Sequence, residues 1–208
     1  CMLHSKKQNG NKTIMRWTAT QASCKLDPMS TAVPQQPVTV AALSAMDEAA
    51  FVALLGGIVE HSPWVEQRVW SCQPFATLDA LYHAFAGCIH GAEQALQLAL
   101  LRSHPELAGR EAIEGSMTPD SSAEQARLGL MALSTSLLAR LNALNHAYQA
   151  RFGYPFIVAL RLHESLESVL RMGEERLSND AEAEWPIALQ QVCEVMRGRL
   201  TRLVHAAQ

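Results

Sequence analysis

A chain of 208 residues, 49% hydrophobic and 18% charged, has enough apolar material for a sizeable core. A formal charge of −3 excludes a nucleic-acid protein that works by bulk neutralisation of phosphates. The longest apolar run, Ala49 to Val59, is broken by Gly56-Gly57 and is about half of the roughly 20 residues that a membrane span needs.

Residues 1–43 differ from the rest. Lys6, Lys7, Lys12, Arg16 and Lys25 face a single acid, Asp27, and Pro28, Pro34 and Pro37 sit among Gln, Ser and Thr. No helical or strand period runs through them. The expectation is a disordered or non-native N-terminal extension ahead of one helical domain over 44–205.

From Ser44 the pattern turns helical. Phe51, Leu54, Leu55, Ile58 and Val59 recur at three and four, which predicts one buried helix face with Gly56-Gly57 weakening its middle. His61-Ser62-Pro63-Trp64 breaks and restarts the helix, since proline is tolerated in a first turn. His61 is open to a site role, with a packed or capping histidine as the favoured reading. Thr77 opens the next helix, with Leu78, Leu81, Phe85 and Ile89 inward, and Gly91 separates it from another. That helix stops at Ser103-His104-Pro105, because the residue before a proline is pushed out of helical geometry. His104 thus lies at a helix C-terminus, where the dipole raises a histidine pKa.

The stretch from His104 to Gln125 has the composition of a long loop, and such loops carry sites more often than plain connections do. Ser121-Ser122-Ala123-Glu124 matches a capping box and predicts a new helix start. Leu137, Leu138, Leu141, Leu144, Asn145 and Tyr148 lie along one side of the following helix, which Gly153 closes. Tyr154 to Leu160 is the single β-like run. Without a partner strand it predicts a buried extended segment whose backbone groups can meet a ligand. A helix from about His163 to Leu177 follows. Asn179-Asp180 caps the last helix, with Ile187, Leu189, Val192, Val195, Met196, Leu200 and Leu203 inward. The fold expected is all-α, a single-domain multi-helix bundle.

Five cysteines, widely spaced, odd in number and without Cys-x-x-Cys, argue against a disulfide framework or structural zinc and fit a reducing, cytoplasmic compartment. No Glu-x-x-His, His-Glu-x-x-His, phosphate loop, dinucleotide fingerprint or Gly-x-Ser-x-Gly elbow occurs. No metal site is expected. What remains is acid–base chemistry at His104, with Glu124 and Ser121 as partners and an arginine for an anion. A helical small-molecule binding or sensor domain with the same pocket and no turnover is the alternative. A purely structural helical protein would have no pocket.

These residues resemble a known family. His104-Pro105-Glu106-Leu107-Ala108 resembles its His-Pro-Asp-Leu-Ala signature, and Ser121-x-x-Glu124-Gln125 resembles its Ser-x-x-Glu-Gln signature. Asn145-x-x-Tyr148-x-x-Arg151-Phe152-Gly153-Tyr154-Pro155-Phe156 resembles its third block, and Glu60-His61-Ser62-Pro63-Trp64 a frequent sequence within it. The family is 2-oxo-4-hydroxy-4-carboxy-5-ureidoimidazoline (OHCU) decarboxylase, of urate breakdown. The resemblance runs over about residues 47–204. The chain departs from it with Glu106 for the usual Asp and Gln73-Pro74-Phe75 for Arg-Pro-Phe.

The resemblance implies an all-helical enzyme without a cofactor that converts OHCU to (S)-allantoin and carbon dioxide. It implies His104 as the acid–base residue, with Glu124 in catalysis and Pro105 beside the substrate. Ser121 and Glu124 would bind the ring and ureido groups, and Gln125 would line the pocket. Arg199 matches an anion-binding arginine, and the backbone of Phe156, Ile157 and Val158 would meet the substrate's polar edge. It further implies a homodimer, working alongside urate oxidase and hydroxyisourate hydrolase.

Overall fold

Nearly every regular element in residues 38–205, the part that the computed structural model describes, is a helix. In order they are α1 (Val40–Ser44), α2 (Glu48–Leu55), α3 (Pro63–Trp70), α4 (Leu78–His90) and α5 (Gln94–Arg102). Then come α6 (Arg110–Glu114), α7 (Pro119–Arg127), α8 (Thr135–Phe152), α9 (Leu166–Arg176) and α10 (Ala181–Leu203). Single 3-10 turns lie at Leu130–Ala132 and Leu160–Leu162. The fold is all-α, as the apolar periodicity predicts.

Local signals set most of the boundaries. Thr77, Ser134, Ser165 and Asp180 each accept a hydrogen bond from a first-turn backbone N–H. Pro63 opens α3, and Gly153, at φ 80°, ends α8 in the left-handed conformation that glycine adopts without strain. The 23-residue α10 runs through the core, packed along α4 and α5. Its Ala188, Leu189, Val192, Cys193, Met196 and Leu200 are buried there.

Several expectations give way to tertiary structure. Residues 38–43, expected in the extension, belong to the fold. Val38–Thr39 (β1) pairs in parallel with Val204–His205 (β2), and Val40 and Leu43 of α1 are buried. The remainder of that expectation concerns residues 1–37, outside the described residues. The helix expected from Ser44 to Val59 starts after the cap Asp47 and ends at Leu55. Ile58 and Val59 are still buried, but from the turn beyond it. The box at Ser121 does not cap. Thr118 is the N-cap of α7, its Oγ1 accepting from Ser121 N, and Pro119 takes the first helical position. Ser121 and Glu124 are thereby released from capping. His163 precedes α9, which begins after Ser165. Ile187 is 37% exposed rather than core. The long loop holds one helical turn of its own, α6.

One buried acid lies away from the cavity described below. Glu66 on α3 is 0% exposed. Its Oε1 accepts from Val59 N at 3.4 Å, and its Oε2 has no partner among the described residues. Burial pushes its carboxyl up to about 7. The folded chain therefore keeps this proton where an unfolded chain, titrating near 4.5, has lost it. Stability from this group falls as pH rises from 4.5 to 7, and the full penalty stands above 7. Glu66→Gln removes that dependence. Relative to its effect at pH 5, it is expected to gain up to about 3 kcal/mol at pH 8, read from urea unfolding at both values.

Candidate active site

The cavity of interest lies where the end of α5, the start of α7, the extended segment 154–159 and the last third of α10 meet. Its enclosed volume is about 40 Å³, and roughly 400 Å³ of empty space is reached when the solvent at its open mouth is included.

His104 follows Ser103, the C-cap of α5, and Pro105 prevents the helix from continuing. Ser103 Oγ donates to Glu60 O at 2.9 Å, which ties this corner to the loop before α3. His104 is 8% exposed, and its Nδ1 lies 2.9 Å from Leu100 O. A carbonyl only accepts, so Nδ1 carries the ring proton. Nε2 is left with a lone pair and no partner among the described residues. Burial pushes this histidine down to about 4, against the opposing pull of the Leu100 carbonyl and of Glu60. The helix-dipole expectation was therefore wrong in sign: desolvation outweighs the favourable end of α5. The side chain is a neutral imidazole with a free base nitrogen.

Ser121 and Glu124 lie one turn apart on α7 and so face the same way. Arg199 comes from α10 and is 2% exposed. Its Nε and Nη2 donate to the two oxygens of Glu124 at 3.0 and 2.9 Å. Nη2 also donates to Ser121 Oγ at 3.1 Å. Nη1 donates to Gly57 O at 3.0 Å and to Glu60 Oε2 at 2.7 Å. Burial works against this charge, but Glu124 and Glu60 hold the guanidinium pKa above its usual value.

Gln125 lines the cavity, while its amide braces the loop beside it. Oε1 accepts from Ala108 N at 2.8 Å, and Nε2 donates to Glu106 O at 3.3 Å. Ala108 sits at φ 48°, a left-handed position that this clamp supports. Asn145 Nδ2 holds the same turn through Leu107 O at 3.0 Å.

The extended segment supplies a further part of the lining. Phe156, Ile157 and Val158 line the cavity, and their N–H groups donate to no other group among the described residues. The segment is held from behind. Arg176 Nη1 donates to Ile157 O at 2.8 Å, and Gln191 Oε1 accepts from Ala159 N at 2.9 Å. Arg176 is itself paired with buried Glu184, its Nε donating at 2.8 Å, and Tyr148 OH donates to the same carboxylate.

Nine residues singled out from sequence border this one cavity: His104, Pro105, Ser121, Glu124, Gln125, Phe156, Ile157, Val158 and Arg199. His61 does not. It is 62% exposed at φ 44°. Gln73 turns away to donate to Leu43 O. The sequence reading quoted Glu60 only within a family-like stretch and gave it no role in the site. Glu60 is 1% exposed and accepts from Thr118 Oγ1 at 2.9 Å and Ser121 Oγ at 3.1 Å, besides Arg199. Burial raises its carboxyl pKa, but the charge and hydrogen bonds of Arg199 and the Thr118 hydroxyl outweigh burial and hold it below the usual value. The available signal was an acid directly after the apolar Ile58-Val59 pair and ahead of a helix-opening proline.

The family model described as OHCU decarboxylase matches residues 44–201. The 2-oxo-4-hydroxy-4-carboxy-5-ureidoimidazoline decarboxylase of Halalkalicoccus jeotgali is 37% identical, over 80% of this chain and 92% of its own. The mouse (Mus musculus) protein of the same name is 38% identical, over 79% of this chain and 92% of its own. Among solved structures, a crystal structure of (S)-allantoin synthase aligns with a TM-score of 0.64 at 27% identity. It covers 80% of this chain, which spans 54% of that one.

Proposed function

Because the chain belongs to the OHCU decarboxylase family, we propose a concrete reaction for the cavity: His104 moves the proton as OHCU loses carbon dioxide to give (S)-allantoin in urate degradation. The observation that carries this reading is the neutral imidazole with a free Nε2, lining one small cavity together with Arg199, Ser121 and Glu124.

The chemistry asks little beyond placement. When the bond from the ring carbon to the carboxylate breaks, its electron pair passes into the adjacent ring C=N. His104 Nε2 takes the proton of the neighbouring hydroxyl, which becomes the carbonyl of the product. The imidazolium then returns a proton to one face of the ureido-bearing carbon, which sets the product's hand, while the ring nitrogen that received the electron pair gains one proton from solvent. Arg199 holds the anionic end, Ser121 and Glu124 hold ring and ureido groups, and the N–H groups of Phe156, Ile157 and Val158 meet the polar edge. Preorganised dipoles aimed at the developing charge supply most of the acceleration. The test is a coupled assay in which urate oxidase and hydroxyisourate hydrolase generate OHCU, with circular dichroism following optically active allantoin. No acceleration over the uncatalysed reaction would remove the reading.

The depressed histidine pKa gives this mechanism a signature. A base must be unprotonated to act, so activity is retained above its pKa and lost below it. The kcat/KM of the free enzyme is expected to be flat through neutrality and to fall as pH drops through about 4. A histidine near 6.5 would place that fall much higher.

We extend the proposal to a homodimer acting beside urate oxidase and hydroxyisourate hydrolase, checked by light scattering and by co-purification. Among the described residues no helix is long and apolar enough to cross a membrane. Cys72, Cys88 and Cys193 are free thiols, in keeping with the reducing cytoplasm proposed for the protein.

A further inference from the structure

Arg199 reaches the cavity with no donor to spare. A guanidinium has five N–H groups. Glu124 takes two of them, and Ser121, Gly57 O and Glu60 take the other three. A substrate carboxylate held by this arginine must therefore displace one of its partners, and the two carboxylate partners are not equivalent. Glu60 is 1% exposed, fixed by two hydroxyls, and does not line the cavity. Glu124 is 21% exposed and lines it. It also has somewhere to go: Arg202, 53% exposed, lies 3.6 Å from its Oε1.

Charge decides what such a displacement costs. With Glu60 in place, an Arg199 that has let go of Glu124 is still an ion pair. Without Glu60 it is a buried cation with no counter-charge, a strongly disfavoured state. We propose that Glu60 is a positioning residue for the decarboxylation: it carries the permanent counter-charge of Arg199, so that Glu124 can yield the Nε–Nη2 edge of the guanidinium to the substrate carboxylate and turn to the ring. This rests on the function proposed above and names a side chain outside the cavity on which that function depends. Glu60 acts on the fraction of molecules whose arginine edge is open. Lowering that fraction weakens apparent affinity in proportion and leaves the bound complex to react as before.

The test compares wild type, Glu60→Gln and Glu60→Asp, with kcat and KM measured on OHCU generated in the coupled assay. Rates are taken at a temperature where melts show each variant folded. Glu60→Gln keeps the size and removes the charge. It is expected to raise KM by about tenfold or more with kcat within about threefold of wild type. Glu60→Asp keeps the charge at a shorter reach and is expected to raise KM by about two- to tenfold with kcat likewise held. A KM within about twofold of wild type in the folded Gln variant, or a larger loss in kcat than in 1/KM, overturns the proposal. If the Gln variant does not fold, the Asp variant decides by the same criteria. A wild-type chain that does not turn over OHCU removes the functional reading as well. Normal KM values in active variants remove only the role of Glu60.

Discussion

His104→Asn is expected to abolish the acceleration of (S)-allantoin formation while leaving the fold intact. Asparagine places its side-chain nitrogen close to where Nδ1 lies, so the hydrogen bond to Leu100 O, 2.9 Å in the wild type, can persist. What it lacks is Nε2, the atom left free to accept a proton. Loss of a positioned base costs roughly 10² to 10⁴ in rate. The loss should appear in kcat, since Arg199, Ser121 and Glu124 still hold substrate. Thermal melting should change little, because hydrogen bonds of this kind contribute only about 1 kcal/mol each. In the coupled assay the ellipticity of allantoin should vanish while OHCU decays at its uncatalysed rate. Retained turnover would mean that another group moves the proton.

Glu184→Gln is expected to be the most destabilising of the single changes considered. Glu184 is 0% exposed and Arg176 is 6% exposed. The carboxylate accepts from Arg176 Nε at 2.8 Å, from Tyr148 OH, and from Asn179 Nδ2 at 2.7 Å. The guanidinium also lies 5.0 Å from the centre of the Phe156 ring. Breaking one side of a buried ion pair strands the other charge and costs about 3 to 5 kcal/mol. Replacing both partners, as in Arg176→Met with Glu184→Leu, should cost less than the sum of the two single changes, because no charge is left unpaired. Urea unfolding of the four proteins closes this cycle. The same arginine anchors Ile157 O at 2.8 Å, so Arg176→Met should also raise KM by loosening the wall that faces the substrate. A cycle with additive energies would show that the pair is uncoupled and that the segment is held by packing alone.

Much of this protein could be read without coordinates, because the signals were local. Pro63, Thr77, Gly153 and Asp180 set helix ends through backbone geometry that each residue imposes on its own neighbours. The three-and-four spacing of leucines marked buried faces on α4 and α8. The stop at His104-Pro105 and the run from Tyr154 to Leu160 marked irregular chain between helices, and both border the cavity. Those were questions of propensity and period, which a sequence carries within a few residues.

Only the tertiary structure decided what these residues became. Thr118, not Ser121, caps α7, which frees Ser121 and Glu124 to meet Arg199 from α10. Glu60 gave no periodic signal, yet its partner lies 139 residues away in the chain. His104 sits at a helix end that favours its charge, but packing from several elements removes its water and reverses the sign. Capping and dipole arguments sum over one helical turn. Desolvation and ion pairing sum over every group within a few ångströms, wherever the chain brings it from, and for this site those larger sums set the charge of the histidine and the partners of the arginine.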